Sequence, residues 1–258
     1  MSEFDGEHQP AGAAAGFFTQ IRLAAGFLTI LPLMPDAPAP ESEVAASYAW
    51  FPLIGFTMGV AFAFEDYALS FVLGHAIRST LVVLSIALLS GGIHLDAIAD
   101  TADALGAGRN RARALEILGD SRIGSFGAIA LFFILALKVL ALASLAGGAR
   151  FAALMLAPTL ARWSMVAVTF RLDYLRASGA GSALGLDRER NLEIASAIAL
   201  IALAPFFSHR ALGAYLAAII AVIVLRRFYS RWLGGVTGDL IGACGEVVET
   251  LVLIIFAS

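Results

Sequence analysis

The sequence predicts an all-α protein: a polytopic membrane helix bundle of about seven transmembrane helices, preceded by a re-entrant or interfacial helix. Three observations carry that prediction. Of 258 residues, 60% are apolar and 14% charged, with a mean hydropathy of +0.86, whereas an ordinary soluble domain carries about 25% charged residues. Apolar runs recur from Tyr48 onward at close to the roughly 20 residues that a helix needs to cross a bilayer core about 30 Å thick. Charge or Gly/Pro punctuation separates one run from the next.

The first fifteen residues, MSEFDGEHQPAGAAA, are acidic and small and lack the positive start of a secretory signal. They read as a disordered cytoplasmic tail, which leaves 16–258 as one integral membrane catalytic domain. The apolar stretch Gly16 to Leu33 holds Arg22 and closes on Pro32 and Pro35, which suits a re-entrant or interfacial helix better than a full crossing. Seven apolar stretches of helical length follow, near 49–74, 79–95, 124–146, 151–170, 193–208, 211–226 and 240–257. The first contains Gly55 and Gly59, a spacing that lets two helix backbones approach closely; chance spacing in an Ala/Gly-rich chain is an equal reading.

A net charge of −3 with no long basic run excludes a nucleic-acid partner. Cys244 is the only cysteine, so neither an intrachain disulfide nor a cysteine-based zinc site can form, in keeping with a bacterial inner membrane. Arginine sets the expected orientation, because cytoplasmic loops carry excess Lys and Arg. Alternate loops hold Arg109, Arg111, Arg113 and Arg122, then Arg171, Arg176, Arg188 and Arg190, then Arg226, Arg227 and Arg231; the opposite set holds only Arg78, Arg150 and Arg210. Loops 96–123, 171–192 and 227–239 are therefore expected together on the cytoplasmic side.

The most informative segment runs from Gly91 to Ala128. Asp96, Asp100 and Asp103 are spaced i, i+4, i+7, which puts three carboxylates within roughly a 60° arc of one helix face. Such a cluster repels itself unless a cation joins it, and oxygen-only ligands favour magnesium, manganese or calcium over zinc. Capping and solvation of a loop helix is the plainer alternative. His94 lies on the opposite face, about 160° from Asp96, where a hydrogen-bonded interfacial residue and a catalytic base are equally open. Glu116 and Asp120 repeat the i, i+4 spacing ahead of Arg122 in GDSRIGSFG, a combination suited to holding metal and phosphate side by side. Asp239, Glu246 and Glu249 enter the last apolar stretch and should face the bundle interior or a polar cavity. Lys138 and Arg162, also inside apolar stretches, are either their ion-pair partners or contacts to an anionic substrate.

The segment GGIHLDAIADTADALGAGRNRARALEILGDSRIGSFG, with WFPLIG at Trp50 to Gly55 and GGVTGDLIGACGE at Gly234 to Glu246, resembles the cobalamin synthase family, the adenosylcobinamide-GDP ribazoletransferases. The likeness runs from about Phe27 (FLTILPLMP) to the C-terminus, with Ala97 and Ile98 standing where the family usually reads Gly-Leu. The resemblance implies a magnesium-dependent transferase of the cell inner membrane. It would join alpha-ribazole or its phosphate to adenosylcobinamide-GDP and release GMP, alone or beside other cobalamin-assembly enzymes. On that basis Asp96, Asp100, Asp103 and Asp120 are the candidate ligands of one or two magnesium ions. Asp103, Asp120 and His94 are the catalytic candidates, and Arg109, Ser121, Arg122, Arg162 and Thr237 are the substrate-binding candidates. Asp239, Glu246 and Glu249 stand as further site candidates.

Two rivals make different demands. A CDP-alcohol phosphotransferase also uses clustered aspartates, but its Ala-Arg step and later spacing are missing here. An ion-coupled transporter using Asp96, Lys138, Arg162 and Glu246 requires broken helices in two corresponding repeats.

Overall fold

A computed structural model describes residues 13–35, 38–108, 110–120, 122–176 and 188–258. Eleven α-helices form among them: α1 (Ala13–Leu28), α2 (Glu41–Ser47), α3 (Phe51–Leu69), α4 (His75–Leu89), α5 (Ile93–Leu105) and α6 (Arg111–Ile117), then α7 (Ser125–Ser144), α8 (Gly147–Thr169), α9 (Arg188–Leu203), α10 (His209–Trp232) and α11 (Gly238–Ala257). The only β pairing among the described residues is an isolated bridge between Tyr174 and Val236.

This is an all-α, multi-pass membrane bundle. Five helical spans are long and apolar enough to cross a membrane unaided: 41–69, read through α2 and α3, and then α7, α8, α10 and α11. A sixth exists if α4 and α5 are taken together, although they meet at 88°. The fifth apolar stretch, near 193–208, forms α9, which ends at Leu203 in a 3₁₀ turn around Pro205; its sixteen residues cover about 24 Å, less than the five spans above, and α10 returns the chain toward the end it left. The N-terminal α1, also sixteen residues, is not among those five. Beyond it the chain doubles back, and the Arg22 Nε donates to the Leu33 carbonyl at 3.1 Å. Of the tail expected at 1–15, residues 13–15 begin α1 and the rest lies outside the described residues.

Burial sorts the spans into layers. In the most apolar window of α8, 94% of the residues are buried, against 22% in those of α7 and α10. α8 is therefore the central post, while Phe132, Phe133 and Leu140 on α7 and Leu216, Ile220 and Val224 on α10 face outward. Those faces suit lipid, which is as apolar as a leucine side chain, so packing between spans has to come from close fit.

Gly55 and Gly59 supply that fit. A Cβ at Gly55 would run into the Pro158 carbonyl of α8, and one at Gly59 would stand 2.9 Å from the Leu154 carbonyl. Pro158 has no N–H to offer the Leu154 carbonyl one turn back, so α3 lies against the stretch of α8 whose backbone ladder is interrupted. The glycine spacing is thus a packing device rather than chance. Gly59→Leu should cost about 1–3 kcal/mol by overpacking, read as a lowered unfolding midpoint in detergent, whereas a leucine at the outward-facing Val60 should change it little.

The stretch at 79–95 is not one straight helix. Gly91 and Gly92 have φ of +63° and +70°, a left-handed pair that other residues resist, and the chain turns there from α4 into α5. The aspartate triplet expected in a loop after a crossing is therefore on a helix that folds back against α7 and α11. This is the only such bent pair among the described residues, so the two matching broken repeats that a transporter requires are not found there.

Two of the three arginines on the sparse side are not loop charges. Arg78 and Arg150 are buried in α4 and α8 and share Asp66 of α3, with Arg78 Nε at 2.9 Å from Oδ1 and Arg150 Nε donating to Oδ2 at 2.9 Å. Opposite charge explains why they sit inside the bundle.

Candidate functional site

Three segments meet at one end of the bundle: the α5–α7 connection, the 171–176 stretch after α8, and the α10–α11 turn. Their joining is built from backbone pairing. The Leu175 N–H donates to the Val236 carbonyl at 2.9 Å, and the Val236 N–H donates to the Asp173 carbonyl at 2.8 Å. The Trp232 indole donates to the Gly108 carbonyl at 3.1 Å. These contacts bring together the three arginine-rich segments that the sequence grouped on one face.

α5 carries Asp96, Asp100 and Asp103 and packs against both α7 and α11. The carboxylates acting on Asp100 are those of Asp96, Asp239 and Asp103, and the cation acting on it is Arg176. Arg176 Nη2 donates to Asp239 Oδ2 at 2.8 Å and to the Leu118 carbonyl at 2.5 Å, tying α11 to the loop that carries GDSRIG. Asp96, Asp103, Asp239 and Arg176 thus all lie near enough to Asp100 to act on its charge. The sequence had placed Arg176 only within a loop tally; its role depends on a contact across 63 residues.

The other expected site residues divide. Asp103 belongs to the crowd and also braces the backbone, its Oδ2 accepting from the Gly124 N–H at 2.7 Å and its Oδ1 from the Gly127 N–H at 2.9 Å. It therefore caps α7 from another helix. Asp120 stands apart and half-buried, held by the exposed Arg122 through Nη2 at 2.6 Å. Hydrogen bonding from that guanidinium holds its carboxyl below the usual carboxylate range. Thr237 is fully buried; its hydroxyl accepts from the Leu240 N–H at 3.3 Å and donates to Asp239 Oδ2 at 3.3 Å, so it caps α11 beside the acidic corner. Arg109 and Ser121 lie outside the described residues.

Glu246, Glu249 and Arg162 are not at this corner. Glu246 and Glu249 lie two to three turns past Asp239 along α11, roughly 10–15 Å deeper at 1.5 Å per residue, and Arg162 reaches them from α8. There Lys138 Nζ donates to Glu246 Oε2 at 2.6 Å and to Glu249 Oε1 at 2.8 Å, while Arg162 Nη1 donates to Glu249 Oε2. All four are at least 95% buried. Two cations and two carboxylates neutralise one another, which is the ion-pair arrangement open to Lys138 and Arg162.

His94 is 7% exposed and lines a cavity of about 220 Å³ between α1, α3, α5 and α11. Phe27, Tyr48, Phe51 and Tyr174 form much of its wall, and Asp239 stands on it too. Burial pushes the Tyr174 hydroxyl above its ordinary value. Phe27 and Phe51 belong to the FLTILPLMP and WFPLIG stretches, which entered the sequence reading only through the family likeness.

The family profile for cobalamin-5-phosphate synthase matches residues 20–257. The chain belongs to the cobalamin-5-phosphate synthase family. Curated relatives named adenosylcobinamide-GDP ribazoletransferase include one from Syntrophobacter fumaroxidans, 35% identical over 234 residues covering 89% of this chain and 94% of the relative. One from Desulforamulus reducens is 35% identical over 92% of this chain and 95% of its own length. Another from Pseudomonas fluorescens SBW25 is 38% identical over 90% and 96%. No solved structure matches the chain.

In this member of the cobalamin-5-phosphate synthase family, the acidic corner has donor chemistry that fits magnesium: oxygen-only, anionic and open to one end. Among the described residues no three Asp, Glu, His or Cys side chains converge closely enough to hold a metal alone. Magnesium does not require that, since it is commonly held by one or two carboxylates together with substrate phosphates.

Proposed function

We propose that this chain is an adenosylcobinamide-GDP ribazoletransferase of the cell inner membrane, magnesium-dependent, with its acidic corner facing the cytoplasm. The observation that carries this reading is the crowd of Asp96, Asp100, Asp103 and Asp239 around one arginine, where three cationic segments meet in a family whose curated members bear that name. The arginine bias supports the cytoplasmic side.

In the proposed reaction a ribose hydroxyl of alpha-ribazole, or of its phosphate, attacks the phosphorus nearest the cobinamide. The new P–O bond forms as the pyrophosphate P–O bond breaks, and GMP leaves with the bridging oxygen and its electron pair. Asp96 and Asp100, with Asp239 beside them, are the residues that would hold magnesium, which when bound supplies positive charge to the phosphate oxygens. Asp103 accepts two backbone N–H groups and keeps α5 and α7 in register. Asp100, the most buried of the triplet at 8% exposure, is best shielded to take the hydroxyl proton. Arg122 and its neighbours would offset charge on the departing phosphate, with Asp120 holding Arg122 until the substrate arrives.

The purified chain in liposomes should release GMP from adenosylcobinamide-GDP only when alpha-ribazole and magnesium are both present. A chelator should abolish release, and added magnesium should restore it. GMP release without a nucleoside acceptor, or turnover indifferent to the chelator, would contradict the proposal.

A further inference from the structure

Four arginines at the arginine-rich end of the bundle gather on one groove. Arg171, just past α8, and Arg226, Arg227 and Arg231, in the last two turns of α10, line a cavity of about 460 Å³ whose wall holds no carboxylate. Among the described residues Arg226, Arg227 and Arg231 have no hydrogen-bond acceptor and no carboxylate partner, and the Nε of Arg226 is buried in that state. The charges acting on Arg226 are those of Arg171 and Arg227. The guanidiniums of Arg171 and Arg226 lie over the same Phe170 ring, 4.9 and 5.6 Å from its centre. Arg171 also meets Glu189 at 3.5 Å with both side chains exposed, a pair that contributes little in water. On the same side of the bundle, Arg113, Arg122 and Arg176 each hold a carboxylate at 2.6–2.8 Å.

Like charges held this way repel one another until an anion joins them. A cation in the last turn of a helix complements its dipole, which accounts for Arg231 and not for the other three. Arg171 has a φ of +56°, the one described residue other than glycine in the left-handed region, a conformation that a side chain resists. This fourth cation is therefore set into the groove at a backbone cost.

The face of α10 restricts the occupant. At about 100° per residue, Leu212, Leu216, Ile220 and Ile223 fall within about 80° of one another, and all four are exposed on the outside of the span. Arg227 and Ser230 continue that strip, flanked by Arg226 and Arg231. The lipid-facing strip thus turns from apolar to cationic within one helical turn, and Ile223 lines the groove as well. A free phosphate would engage the arginines and leave the apolar strip unused. An anionic phospholipid engages both, and the cytoplasmic leaflet, to which the arginine bias assigns this end, carries the anionic lipids.

We propose that this groove binds the phosphodiester headgroup of an anionic phospholipid, with an acyl chain lying along Leu216, Ile220 and Ile223 of α10. Arg226, Arg227 and Arg231 donate to the phosphate oxygens in charge-assisted hydrogen bonds. The bound lipid fixes the end of α10, from which the chain enters the turn that leads to Asp239. The proposal does not depend on the transferase reading.

The test compares the association of spin-labelled phosphatidylglycerol and spin-labelled phosphatidylcholine with the full chain in phosphatidylcholine vesicles, without substrates. The wild type should prefer phosphatidylglycerol by roughly tenfold or more, and Arg226→Gln or Arg227→Gln should each lower that preference by about fivefold. Arg113→Gln, which removes an exposed arginine paired with Glu116 outside the groove, should leave it unchanged. Unfolding midpoints in detergent check that the variants are folded; Arg227 and Arg231 are exposed, so Arg227→Gln and Arg231→Gln test the groove without disturbing the core. Equal association of the two lipids would overturn the proposal, and so would a loss with Arg113→Gln as large as with Arg227→Gln, which would mean diffuse surface attraction. Displacement of the labelled phosphatidylglycerol by an excess of inorganic phosphate or of adenosylcobinamide-GDP would make the groove a site for a soluble phosphate and contradict the lipid assignment.

Discussion

Asp100→Asn should lower GMP release by about 10²–10⁴-fold, the range expected when a positioned acid–base group is removed, without lowering the unfolding midpoint. The two halves of this expectation have one cause. Asp100 is nearly buried and faces Asp96, Asp103 and Asp239, so a neutral amide of the same shape relieves like-charge repulsion in the resting protein. A loss of activity with stability kept or raised identifies a group retained for function. Asp96→Asn should behave similarly. Asp103→Asn should lose both activity and stability, because an amide cannot accept from both Gly124 and Gly127 and its NH₂ would oppose one of those N–H donors. Asp120→Asn should cost less than tenfold, since the side chain of Asp120 reaches solvent and bonds Arg122 alone, a pair of the kind that contributes little in water. Rates and thermal midpoints measured on the four variants would separate these outcomes.

The largest effect on stability should come from Lys138→Met. Lys138 is shared by Glu246 and Glu249, and its removal leaves two buried carboxylates with Arg162 as the remaining cation. Breaking a buried pair from one side costs about 3–5 kcal/mol, because the surviving charge keeps its desolvation penalty without its partner. The midpoint in detergent should fall steeply, and activity should fall with the fraction folded. Adding Glu246→Gln to Lys138→Met removes the stranded charge and should restore much of the loss, since Arg162 and Glu249 still form a pair. If both variants melt with the wild type, these four groups are not the internal brace described here.

What was legible in the sequence depended on distance along the chain. The aspartates of α5 lie within two helical turns, so periodicity alone puts them on one face, and the glycines of α3 announce a close helix approach four residues apart. Both readings hold. Contacts across 63 residues, as between Arg176 and Asp239, or across 108, as between Lys138 and Glu246, have no local signature. Inspection of sequence could place these charges inside or beside apolar stretches but could not pair them. Thr237 illustrates the same limit, since a hydroxyl just before a helix gives no local sign that it also bonds Asp239. The bend at Gly91–Gly92 was hidden because a glycine pair inside an apolar run reads equally well as close packing. The aromatic cavity was hidden because in a membrane chain its lining is composed like the lipid-facing surface, and only the placement of α1 and α3 distinguishes the two.

The most direct test of phosphoryl transfer at the acidic corner is the fate of label placed in the adenosylcobinamide-GDP phosphorus nearest the cobinamide, followed through turnover with alpha-ribazole by the wild type and by Asp100→Asn. The wild type should carry the label into the corrinoid product and release unlabelled GMP, while the variant should transfer almost none over the same interval. Label in the released nucleotide, or equal transfer by the two proteins, would contradict the assignment of this chemistry to Asp100 and its neighbours.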